Sequence, residues 1–328
     1  MKNRILLFSF LALTAARPAP TAAPQNDLAS LEKAALAGDA AAQHRLGARY
    51  VSGIGVKTDH AEAMKWFLKA AAQNLPIAET SIGDMYGQGW GVPKDFVKAR
   101  EWYARAVAHG FGEAEVNLGN LYSEGLGGER DRAKALALFE SAAKKGKTVG
   151  MLNLGDAYYR GDGVPKDPKK SLKLWKQAAA GGFNMAMTSL GEYYRRGLAQ
   201  PKDLALAREW YAKASAADDV RADYMLGEMN YYGEGAPRDY GAALRWFRRA
   251  ADRGIPAAMQ WVGTFYDEGY GVPVDRVEAY YWYVRSGNRG TPVAFTDMKR
   301  LRPLMTAQEI ESAVLRARES DEKLAPGQ

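Results

Sequence analysis

The chain has no cysteine and only three histidines, His44, His60 and His109. The first absence excludes a disulfide framework and thiolate metal ligation. The second leaves no His-Glu-x-x-His stretch, and neither a nucleophile elbow nor a phosphate loop is present. The chemistry-bearing residues therefore call for no cofactor and no metal. Charge of one sign is lacking too, since 45 Lys and Arg stand against 38 Asp and Glu for a formal net charge of +7. Spread over many segments, that mild excess gives no footprint for nucleic acid.

Long apolar runs are also missing. Ile5 to Ala16 is about 12 residues, too short to span a bilayer core of ~30 Å comfortably. It follows Lys2 and Arg4 and runs into the small residues of TAARPAPTAAPQ. This is the pattern of a cleaved secretory signal, cut after Ala16 or a few residues later, with an uncleaved anchor or a disordered tail as the alternatives. Residues 1–23 are assigned to signal and flexible lead-in. The mature chain is expected to be periplasmic or secreted, without stable membrane insertion.

What the chain has in abundance is repetition. One glycine recurs every 36 residues as Gly47, Gly83, Gly119, Gly155, Gly191, Gly227 and Gly263. A second recurs as Gly53, Gly89, Gly125, Gly161, Gly197, Gly233 and Gly269, and an aspartate as Asp59, Asp95, Asp131, Asp167, Asp203, Asp239 and Asp275. Seven units in register over 39–290 are the signature of a solenoid, whose units bury their apolar faces against one another.

Each unit carries two blocks at helical spacing. In the second, Ala78, Ile82, Met85 and Tyr86 mark one helix, and Val97, Trp102, Tyr103, Ala106 and Val107 the other. Gly89 and Gly91 stop the first helix, Pro93 blocks its continuation, and Asp95 is placed to cap the second. The pair Trp102-Tyr103 recurs as Trp66-Phe67, Trp210-Tyr211, Trp246-Phe247 and Trp282-Tyr283, with Leu138-Phe139 and Leu174-Trp175 as variants. Rings at equivalent positions are core between units, opposite glycine and alanine positions where helices approach closely. Residues 27–38 form a capping half-unit. After Gly290 the period is lost, and 291–328 reads as carboxy-terminal capping helices, with TAQE at Thr306 to Glu309 as a capping box. The fold class is all-α, an α-solenoid of seven helix-turn-helix repeats with terminal caps.

The motif IGDMYGQGWGVPKD followed by AREWYARAVAHG resembles the Sel-one-like repeats, relatives of the tetratricopeptide repeat. Local departures are Ala199 for the last loop glycine, Asn230 for the tyrosine, and a proline-free GGERD at Gly127 to Asp131. The resemblance implies a right-handed superhelix used for protein binding, with the first helix of each pair on the concave side. It places Asp84, Asn120, Asp156, Glu192 and Glu228 in a ladder along that groove, beside Tyr159, Arg160, Arg195, Arg196, Tyr231 and Tyr232. Tyr and Arg dominate interface hot spots, although the same residues also suit an ordinary charged helix face.

The leading expectation is a non-enzymatic, monomeric adaptor that holds a protein or peptide partner in the groove of the fourth to sixth repeats, with no nucleic acid involved. A second expectation is a cell-envelope hydrolase or glycan-processing enzyme using groove carboxylates such as Asp156 and Glu192.

Overall fold

The computed structural model describes residues 25–324, so the expected signal segment lies outside the described residues. Among them there are only helices. A leading helix α1 (Gln25–Leu36) is followed by seven pairs, repeats 1 to 7: α2 (Ala40–Ser52) with α3 (His60–Ala71), α4 (Pro76–Gln88) with α5 (Phe96–Ala108), α6 (Gly112–Glu124) with α7 (Arg132–Lys144), α8 (Thr148–Arg160) with α9 (Pro168–Ala180), α10 (Asn184–Arg196) with α11 (Leu204–Ala216), α12 (Val220–Tyr232) with α13 (Tyr240–Asp252), and α14 (Pro256–Glu268) with α15 (Arg276–Asn288). Then come α16 (Pro292–Leu301), a 3-10 turn (Arg302–Leu304) and α17 (Ala307–Leu324). None of these helices is long and apolar enough to cross a membrane.

The punctuation works as the residue types require. Gly89 ends α4 at φ +79, a left-handed conformation without a side-chain clash only for glycine, and its N–H donates to Met85 O at 2.8 Å. Asp95 Oδ1 accepts from the N–H groups of Val97 and Lys98, both at 3.0 Å, which satisfies free amides at the start of α5. The Asp95 N–H donates to Tyr86 O at 2.9 Å and closes the loop. Because that acceptor is a backbone carbonyl, Asn230 serves Asp239 as well as a tyrosine would, at 3.1 Å. The proline-free loop is held by Arg130 Nε donating to Ser123 O at 2.8 Å. Ala199 stands at φ +58, where the sister loops use glycine.

Packing turns on one close approach. A Cβ at Gly83 would lie 2.5 Å from the Tyr103 ring, and the seven equivalent glycines each face the ring 20 residues on at 2.5–2.7 Å. No larger residue fits, so glycine sets the distance between the two helices of a pair. The first member of each aromatic pair lies on the second-helix side beneath a cation three residues later. Lys69 covers Trp66, Arg105 covers Trp102, Lys213 covers Trp210, Arg249 covers Trp246 and Arg285 covers Trp282, at 4.0–5.6 Å from the ring centroids. Repeats 3 and 4 break this series with Leu138 and Leu174, followed by Ser141 and Gln177.

The contacts divide into two compact units, one ending at Ala178 and the other starting at Ala179. In the first, Leu31 and Ala35 of α1 pack with Leu46 and Trp66, which covers the start of the stack. In the second, one apolar cluster joins Phe247, Met259, Phe265 and Tyr280 to Tyr283 with Leu301, Ala313 and Ala317 of the terminal helices. Thr306 and Glu309 form the capping box, with Thr306 N–H donating to Glu309 Oε2 at 2.7 Å and Glu309 N–H to Thr306 Oγ1 at 3.2 Å. The α17 helix also supplies Asp321, which accepts from Arg285 at 3.1 Å and Arg289 at 2.6 Å.

Candidate functional site

The acid ladder follows a structural logic that divides it. The residue after each helix glycine sits beside the same ring that the glycine accommodates, and where that ring carries a donor this residue accepts from it. Tyr103 Oη donates to Asp84 Oδ1 at 2.6 Å, Trp175 Nε1 to Asp156 Oδ1 at 3.2 Å, and Tyr211 Oη to Glu192 Oε2 at 3.1 Å. A buried ring donor left unmade is costly, so these three carboxylates serve the core before they serve a partner. Asp84 is 5% exposed and also accepts from Asn117 Nδ2 at 3.2 Å. Burial pushes its carboxyl up to about 7, against the Tyr103 hydrogen bond that pulls it down. Asn120 is buried as well and accepts from Asn153 Nδ2 at 2.9 Å. Asp84 and Asn120 therefore offer a partner almost no surface, which differs from the groove-facing role expected for them.

Asn120 and Glu228 stand opposite Phe139 and Phe247, rings with no donor. Glu228 is accordingly free to bind elsewhere on the face. Its Oε2 accepts from Arg195 Nη1 at 2.9 Å and its Oε1 from Tyr224 Oη at 3.1 Å. Arg195 is clamped on its other side by Glu234 Oε2, 2.6 Å from Nε. Desolvation alone would lower its affinity for a proton, and the two carboxylates outweigh that and raise it. Arg195 is thus a held cation, 18% exposed, that braces α10 against α12.

The first unit contributes Tyr159, whose ring lies 5.6 Å from Trp175, and Arg160, whose Nη2 is 3.5 Å from Asp156 Oδ2. In the second unit, Arg196 is 60% exposed and pairs with Glu192 one turn earlier. Tyr231 packs into a ring cluster, with centroids 4.6 Å from Trp261, 5.5 Å from Tyr240 and 5.8 Å from Tyr270. Tyr232 stands edge-on to Tyr231 at 5.0 Å and to Trp261 at 6.3 Å, and is 51% exposed. Trp261 stacks on Phe247 at 5.2 Å with an interplanar angle of 6°, and its Nε1 donates to Tyr224 Oη at 3.3 Å.

Two of these residues escaped the sequence reading. Tyr224 occupies the position of His44 in its repeat, in the stripe of positions equivalent to His44, Ala48, Val51 and Ser52 that the repeat resemblance turns toward the groove. Trp261 is one residue beyond that stripe, at the position of Arg45. Trp261 departs from Arg45, Ser81, Asn117, Asn153 and Ser189 at equivalent positions, a signal that could have found it, whereas Tyr224 shares its position with Val116 and Leu152 as well as polar residues and carries no such signal.

The site thus offers rigid aromatic surface with satisfied polar edges. Asp156 and Glu192, the carboxylates considered for hydrolysis, are each engaged by a ring donor and an arginine. Among the described residues, no group of three or more His, Asp or Glu side chains is placed to hold a metal ion.

The Sel1 repeat pattern matches residues 40–75, 76–111, 112–147, 148–183, 184–219, 220–255 and 256–291. No curated protein matches the sequence. Among solved structures, the Sel1 repeat protein from Oxalobacter formigenes is 30% identical over 90% of this chain and 84% of its own, with a TM-score of 0.66. A protective antigen of uropathogenic Escherichia coli, described as displaying an SLR fold, is 30% identical over 90% of this chain and 79% of its own, with a TM-score of 0.48. An immunity protein from Pseudomonas aeruginosa is 19% identical over 71% of this chain and 82% of its own, with a TM-score of 0.46.

Proposed function

Since the chain belongs to the Sel1 repeat family, whose members are protein-interaction scaffolds and generally not enzymes, we propose that it is an exported, non-enzymatic adaptor that holds a protein or peptide partner on the first-helix face of repeats 5 to 7. The observation that carries this reading is Tyr232, half out of the fold yet held edge-on against Tyr231 and Trp261. A ring already fixed by its neighbours loses little side-chain freedom when a partner covers it, and tyrosine and tryptophan contribute both apolar area and a polar edge. Arg196, on the first helix of repeat 5, is 60% exposed and paired with Glu192.

Export is supported by the positive start and short apolar run of the first residues. The mixed charge of the face, with Glu192 and Glu228 beside Arg196, suits a polypeptide better than a polyanion. A quantitative pull-down from the cell-envelope fraction tests the reading, comparing the chain with its Tyr232→Ala and Trp261→Ala variants. Loss of the same partner from both variants is expected. Undiminished recovery by both, with folding unchanged by circular dichroism, overturns the assignment to this face.

A further inference from the structure

On the second-helix side of the first unit, an open groove of about 410 Å³ lies between α7 and α9, with α8 as its floor. Its walls are Ala143, Met151, Leu154 and Leu174, and Glu140, Lys144 and Gln177 stand at its edge. The volume falls within the range of small-ligand and peptide side-chain pockets.

The groove exists because repeat 4 departs from its sisters at three positions at once. In repeat 2, Trp102 covers this place beneath Arg105, and Arg105 and His109 both reach the buried Glu79, at 3.4 and 2.9 Å. Repeat 6 repeats the arrangement with Trp246, Arg249 and the buried Asp223, 3.0 Å from Arg249 Nε. Repeat 3 keeps the buried acid, with Glu115 Oε1 2.7 Å from Lys145 Nζ. At the equivalent positions repeat 4 has Leu174 for the tryptophan, Gln177 for the cation and Met151 for the acid. Ring, cation and carboxylate are all gone, and apolar side chains line the space they leave.

The charge around it is one-sided. The α9 helix carries Lys169, Lys170, Lys173 and Lys176 and no acidic residue, and these lysines are exposed. Lys173 lies one turn before Gln177 on the same helix face, and Lys144 lines the groove from α7. Glu140 is the single acid in the lining.

We infer that this groove is a second docking site, for an acidic polypeptide segment whose aromatic side chain takes the place of the missing tryptophan. The ring fills the apolar space over Leu154 and Met151, while flanking carboxylates face Lys144 and Lys173. Buried aromatic anchors ringed by charge pairs are the usual composition of a small, strong contact. The groove shares no residue with the Tyr232 face, so either assignment can fail without the other.

Fluorescence anisotropy with the full chain tests it, using a fluorescein-labelled peptide of Glu and Asp residues around one central Trp. Saturable binding is expected, weakened about tenfold or more when the peptide Trp is replaced by Ala. The same loss is expected in Leu174→Trp/Gln177→Arg, which rebuilds the cover found in repeat 2 and so keeps a residue set this fold already accommodates. Lys144→Glu/Lys173→Glu, confined to exposed side chains, is expected to weaken binding and flatten its salt dependence. Tyr232→Ala is expected to bind the peptide as the native chain does. Absence of saturable binding, equal binding of the Trp and Ala peptides, or full binding by Leu174→Trp/Gln177→Arg overturns the inference. Preference for phosphatidylglycerol vesicles over the peptide overturns it too, in favour of a lipid surface.

Discussion

Tyr103 donates its hydroxyl proton to Asp84 across 2.6 Å, and both side chains are buried. The contact belongs to a rule of the array, in which the residue after each helix glycine accepts from the ring 19 positions on wherever that ring has a proton to give. Asp84 is also a titrating group. Its folded pKa of about 7 lies above the ordinary 3.8, so the stability it contributes is full below pH 4 and is lost as pH rises through 7. The loss is on the order of 4 kcal/mol. Asp84→Asn keeps an acceptor for Tyr103 without a charge, and urea melts from pH 4 to 8 should become flatter by that amount.

His44 acts in the opposite sense. Its Nε2 is 3.1 Å from Ser81 Oγ, and burial lowers its pKa from 6.5 to about 4. A base whose folded pKa is depressed contributes stability that is present above 6.5 and lost as pH falls to 4. The loss is about 3 kcal/mol. Between pH 4 and 6.5 the two groups oppose each other, so the native chain should vary less with pH than either single variant. His44→Gln should remove the acid-side loss in the same urea series.

Glycine identity should matter in opposite directions at two sites. At Gly83 an added methyl group meets the Tyr103 ring at 2.5 Å, and overpacking of 1–3 kcal/mol outweighs the gain of about 1 kcal/mol in helix propensity. Gly83→Ala should therefore destabilise by up to about 2 kcal/mol. At Gly241, in the first turn of α13, the nearest atom is 3.4 Å away. Gly241→Ala should stabilise by a few tenths to about 1 kcal/mol. Thermal melts of both variants decide the signs.

The terminal helix replaces a partner that repeat 7 lacks. Where repeats 2, 3 and 6 have Glu79, Glu115 and Asp223, repeat 7 has Met259, and Asp321 of α17 meets Arg285 and Arg289 in its stead. Arg285 is only 3% exposed. Burial would raise the Asp321 pKa, and its bonds to Arg289, Asn288 and Arg285 outweigh that and lower it. Asp321→Ala leaves a buried guanidinium without its carboxylate, and should cost ~3 kcal/mol. Limited proteolysis should then release α17 before any repeat is cut.

The repeats were legible in the sequence because period, caps and glycines are local facts. Asp95 and Gly89 do their work within a few residues of themselves, and so were readable one unit at a time. The first-helix face was less legible, because what Asp84 does depends on whether residue 103 is Tyr or Phe. A stripe of equivalent positions treats Asp84 and Glu228 alike, yet one is locked onto a buried hydroxyl and the other is released to bind Arg195. The second-helix groove was hidden in the same manner. Leu174 reads as a harmless variant of Trp102 until the losses at positions 151 and 177 are seen to coincide around it.

A partner held on the first-helix face of repeats 5 to 7 should be captured by a photocrosslinking amino acid placed in turn at positions 232 and 248 of the chain in its native envelope. Position 232 is the exposed ring of that face, and position 248 is an exposed arginine on the second helix of repeat 6. A discrete adduct of higher mass from position 232 and none from 248 is the result predicted. No adduct from 232, or equal adducts from both, contradicts it.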